Sequence, residues 1–71
     1  MRYMIVIEEG GTIFGAYVPD LPGCVVVGET ESEIKQLIQE AIEFRLEDLQ
    51  ESGASVPKPL SKSEYVEVVA A

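Results

Sequence analysis

The sequence contains no histidine, one cysteine and only five lysines and arginines, against 13 aspartates and glutamates in 71 residues. Each shortage removes a class of function. Without histidine there is no Ser-His-Asp or Cys-His relay, and one cysteine cannot supply the three or four Cys and His ligands of an ordinary zinc site. Cys24 has no partner for an intrachain disulfide, which fits a reducing compartment. The net charge of −8 argues against direct nucleic-acid binding, which depends on a basic face that neutralises phosphates. The apolar run at residues 4–7 is far too short for a signal-peptide core or a membrane span. A cytoplasmic protein with no membrane partner is expected.

What is present suffices for one small domain spanning residues 1–71. The hydrophobic content is 46%, enough for a folded core. A chain of this size buries roughly 60% of its unfolded surface, so a partner subunit has much to add to its stability.

Residues 2–8 alternate, with Tyr3, Ile5 and Ile7 on one side and Met4, Val6 and Glu8 on the other, as a half-buried strand requires. Glu9-Gly10-Gly11-Thr12 supplies turn glycines, and residues 13–18 alternate again, which predicts a β-hairpin. Pro19 ends the second strand, Pro22-Gly23 fits the centre of a type II turn, and residues 24–27 form a third strand. Thr30, with Glu33 three positions on, matches a capping box that opens a helix. Ile34, Leu37, Ile38, Ala41, Ile42 and Leu49 recur at helical spacing, and Gly53 marks the stop. A connector stiffened by Pro57 and Pro59 then leads to residues 65–69, where Val66 and Val68 alternate against Tyr65, Glu67 and Val69 as a last strand. The expected fold is α+β, in the order βββαβ, with a four-stranded sheet and one helix on one face. If the last strand returns beside the first, the two run parallel with a right-handed crossing.

Three features bear on function. Glu33, Glu40, Glu43, Glu47 and Glu51 fall within about 80° of one another on the helix, and like charges at i,i+4 do nothing for the free helix. That stripe reads either as a docking surface for a basic partner or as a solvated face that maintains solubility. Arg45 falls near the centre of the apolar stripe; it is either a subunit contact or a snorkelling side chain paired with a nearby carboxylate. Lastly, one helix covers one side of a sheet, yet both sides of these strands are apolar, which predicts self-association as a dimer or tetramer. The carboxylates do not converge as a catalytic metal site needs, and Cys24 reads as a small buried residue, not a nucleophile. No catalytic residue, metal or cofactor is expected.

The segment Val18-Pro19-Asp20-Leu21-Pro22-Gly23-Cys24, followed by Gly28-Glu29-Thr30, Glu33 and then Gly53-Ala54-Ser55-Val56-Pro57, resembles the HicB family of prokaryotic type II antitoxins. The matching motifs run in order over nearly the whole chain. The resemblance implies a partially degraded RNase H-like fold with the last strand beside the first, lacking that fold's catalytic carboxylates. It also implies a partner: a HicA-like toxin, which is a small basic ribonuclease with a catalytic histidine. An acidic inhibitor suits such a partner, because complementary charge speeds encounter and competes with RNA phosphate. Pro19, Asp20, Leu21, Pro22, Gly23 and Cys24 form the family's hallmark turn, and their composition gives them a structural role. Full-length HicB antitoxins commonly continue into a DNA-binding domain, and a chain ending at Ala71 is expected to lack one. The alternative is an orphan homo-oligomeric module of the same fold with no toxin.

Overall fold

The computed structural model describes residues 1–70. Strand β1 (Val6–Gly10) and strand β2 (Ile13–Tyr17) form the expected hairpin, closed by Gly11 and Thr12, with Val6 opposite Tyr17 and Gly10 opposite Ile13. Strand β3 (Val25–Gly28) pairs antiparallel with β2, so the sheet order is β1-β2-β3. Helix α1 (Glu31–Glu51) crosses one face, packing mainly on β2 and β3.

The link between β2 and β3 is two successive turns. Leu21 N–H donates to the Val18 carbonyl and Cys24 N–H to the Leu21 carbonyl, while Val18 N–H reaches the Cys24 carbonyl and closes the base of the loop. Pro19 and Pro22 take the positions where a fixed φ is preset, and Gly23 takes the left-handed conformation at φ 86° that a type II turn demands. The turn directs Leu21 inward, where it is almost completely buried. A Pro-rich loop thus contributes a core residue.

Helix α1 has well-formed ends. Thr30 is the N-cap, and its Oγ1 accepts a hydrogen bond from Glu33 N–H at 3.0 Å. At the other end Gly53 N–H donates to the Gln50 carbonyl and Ala54 N–H to the Leu49 carbonyl, a Schellman motif built on Gly53 at φ 75°. The helix is about 31 Å long at 1.5 Å per residue, whereas five-residue strands reach only about 17 Å. Its second half therefore overhangs the sheet. This is why only Ile34 and Ile38, in its first half, are fully buried. The core is small: Ala16, Val18, Leu21, Cys24, Ile34 and Ile38, flanked by half-buried side chains such as Ile7, Phe14 and Val26.

The expected fourth strand does not form. Residues 65–69 carry no ladder, and Tyr65, Val66, Val68 and Val69 are 80–104% exposed. The sheet has three strands, and the outer edge of β1 is open. Alternation marked this segment as strand-forming, but a ladder needs a second row of backbone donors and acceptors, and among the described residues the segment is paired with none, the open β1 edge included. The preceding connector is nevertheless anchored. Tyr3 OH donates to the Pro57 carbonyl, and Asp20 accepts from both the backbone and the hydroxyl of Ser61.

Candidate functional site

Two surfaces are built from the expected residues. On α1, Glu33, Glu40, Glu43, Glu47 and Glu51 are all exposed. Glu43 accepts a hydrogen bond from Gln39 at 3.2 Å, and the helix's two ion pairs, Glu31–Lys35 and Arg45–Asp48, lie off the stripe. Among the described residues none of the five stripe glutamates has a basic partner within ion-pair distance, so the stripe presents uncompensated negative charge.

Composition and spacing did not single out Phe44. It is 75% exposed, and its neighbours one helical turn away are Glu40, Ala41, Glu47 and Asp48, three of the four acidic. The wheel carried the signal, since Phe44 falls outside the apolar stripe and beside the acidic one. A large aromatic ring ringed by carboxylates is the composition of an interface anchor with a charged rim.

Arg45 is half exposed despite its central place on the apolar stripe, with Nη1 3.8 Å from Asp48 Oδ2. A long side chain lets a residue in that position carry its charged head out to water and to Asp48. Arg45 also acts on Cys24. Burial pushes the thiol above its ordinary value of 9.0, and the guanidinium's positive charge opposes the rise. A buried thiol kept protonated is a core residue, not a nucleophile.

The second surface is the side of the sheet opposite α1. Val6, Tyr17 and Val25 form one cross-strand row, Glu8, Gly15 and Val27 the next, and Ile13 extends the patch toward the hairpin. Ile13, Tyr17, Val25 and Val27 are exposed, and Met4 and Val6 are half-buried. Among the described residues no other element covers this face. The hallmark turn is adjacent but plays a different part: Leu21 and Cys24 point into the core, and Asp20 holds the connector through Ser61. Among the described residues no group of three or more carboxylates, cysteines or histidines is placed to hold a metal ion. Among the described residues no helix is long and apolar enough to cross a membrane.

Fold and surface together define a small α+β module whose exposed features suit protein contacts. Comparison with known proteins agrees on the kind of module: the sequence model for the HicB-like antitoxin of bacterial toxin–antitoxin systems matches residues 3–69, and the chain belongs to that family. It is also 36% identical over 66 residues to an uncharacterized 14.9 kDa protein in the rep-hol intergenic region of Haemophilus phage HP1. That match takes in 93% of this chain and 50% of the phage protein, so the chain spans half the length of this relative. No solved structure matches the chain.

Proposed function

We propose that the chain neutralises a small, basic, HicA-like ribonuclease toxin by forming a stoichiometric complex with it in the cytoplasm, without catalysis of its own. The observation that carries this reading is Phe44, exposed among Glu40, Glu47 and Asp48 on a helix whose stripe glutamates lack basic partners. The ring supplies an apolar anchor, and the carboxylates stand in for RNA phosphates on the toxin's basic surface. Glu33, Glu40, Glu43, Glu47 and Glu51 are the proposed contacts. Family membership supports a toxin partner in general, and the net charge of −8 supports a basic one. Co-expression with a HicA-like toxin tests it: growth is restored by the wild-type chain, and failure to restore it while both proteins accumulate contradicts the proposal.

A second activity is favoured by the uncovered sheet face. The Val6–Tyr17–Val25 row and Val27 are the surface of a protein that self-associates, as a dimer or tetramer. In an orphan module this would be the whole function; in an antitoxin it sets how many toxins one assembly holds. The RNase H-like arrangement belongs to the same proposal, with residues 65–69 supplying a fourth strand beside a β1 edge within the self-associated protein. Light scattering that gives a single-chain mass of 7.8 kDa at high micromolar concentration contradicts self-association.

A further inference from the structure

The C-terminal arm and the edge of β1 are each unsatisfied in the same molecule. Residues 64–70 alternate valines with Tyr65 and Glu67, and the four large apolar side chains stand in water. The arm projects from the body: the radius of gyration is 14.3 Å, against about 11 Å for a compact domain of this length. The long dimension of 51 Å exceeds the roughly 31 Å of α1. Its root is fixed beside the start of β1 by the Tyr3–Pro57 and Asp20–Ser61 hydrogen bonds.

The β1 edge offers what such an arm needs. Backbone groups on the outer side of Val6–Gly10 have no strand partner. Because α1 lies over β2 and β3, a groove of about 440 Å³ remains between the helix and the stretch that leads into β1, with Tyr3, Ile5, Ile38, Ile42 and Leu46 as its apolar lining and Lys35, Gln39 and Glu43 at the helix side. A strand that runs along this edge and on beside residues 3–5 would send alternate side chains into the groove and the others toward Val6.

We propose that the arm of one copy adds as a strand to β1 of a second copy, its alternate side chains filling the second copy's groove. The occupant is a second copy: in this chain the arm stands exposed in an extended molecule and does not lie on its own β1, and a foreign strand on β1 would leave the arm in water. Reciprocal exchange about a twofold axis pairs two arms with two edges and closes the assembly. The inference rests on the self-association proposed above and names the segment that makes it; Glu43 borders the groove and is also a proposed toxin contact, so the exchange is tested without toxin present.

The experiment uses the full chain on a Cys24→Ala background. Chains carrying Glu8→Cys are mixed with chains carrying Val66→Cys, Glu67→Cys or Val68→Cys and oxidised, and wild-type protein and a Val66→Glu/Val68→Glu variant are sized by light scattering. Exchange predicts a mixed disulfide of twice the chain mass, formed only in the mixtures, and weakening of self-association by roughly tenfold or more in the arm variant with its helical circular dichroism retained. Three results overturn it. An intrachain disulfide at single-chain mass in a Glu8→Cys/Val66→Cys double variant shows the arm on its own β1. No mixed disulfide, with the arm variant still assembled, places the interface on the open sheet face and spares self-association. A monomeric wild type removes self-association and arm exchange together.

Discussion

Asp20 and Ser61, 41 positions apart, are joined twice: one carboxylate oxygen accepts from the Ser61 backbone N–H at 2.8 Å and the other from its hydroxyl at 2.7 Å. The pair ties the loop between β2 and β3 to the connector that carries the C-terminal arm. A turn residue thus decides where the arm begins. Asp20→Ala removes both acceptors, and a hydrogen bond to a charged group contributes about 1.5–3 kcal/mol each at most; with both residues partly exposed, a total loss of about 1–3 kcal/mol is expected. Asp20→Asn retains one acceptor oxygen and should fall between. Urea denaturation gives the energies, and amide hydrogen exchange at Ser61 should quicken in step.

Gly28 is closed in by the start of the helix. A Cβ there would come within 2.9 Å of Ile34 Cγ2 and 2.7 Å of Glu33 Oε1; the glutamate can swing away, but Ile34 is fully buried. Gly28→Ala is expected to cost about 1–3 kcal/mol through overpacking. Gly10→Ala meets nothing within 4 Å and should change stability by less than about 0.5 kcal/mol. Equal losses in thermal denaturation at the two sites would contradict the close approach of β3 to α1.

Cys24 makes a pH-dependent prediction. Its folded-state thiol titrates above the ordinary 9.0 because burial disfavours the thiolate, with Arg45 opposing. In the window between those two values the unfolded chain loses a proton that the folded chain keeps. Its stabilising contribution is therefore complete below pH 9 and declines as pH rises through the folded value. Cys24→Ala should flatten that alkaline decline. At pH 8 the native thiol should react with an aromatic disulfide reagent far more slowly than the urea-unfolded chain; equal rates would contradict its burial.

The parts of the fold visible in the sequence are those whose chemistry is local. Thr30 caps, Pro22-Gly23 turns and Gly53 stops the helix because each acts on backbone groups a few residues away. The strand expected at residues 65–69 was half legible: alternation reports that a segment is suited to a ladder but not which edge it meets, and here the segment is unpaired. The Asp20–Ser61 tie left no trace, since neither residue has a pattern that names the other. Among site residues, the exposure of the glutamate stripe followed from helical periodicity. Phe44 stood at the same stripe's border, outside the apolar one, yet a lone aromatic residue is read as core until its exposure is seen.

The central claim is that the acidic face of α1 holds a basic toxin. Its most direct test is the affinity of a HicA-like ribonuclease for the wild-type chain and for Glu43→Lys/Glu47→Lys and Phe44→Ala variants, measured by calorimetry across a range of salt concentrations. All three substituted side chains are exposed, so folding should be retained. The account predicts that Phe44→Ala weakens binding by roughly tenfold or more, and that the charge reversal weakens it further and flattens its salt dependence. Affinities and salt slopes equal to those of the wild type in both variants would contradict it.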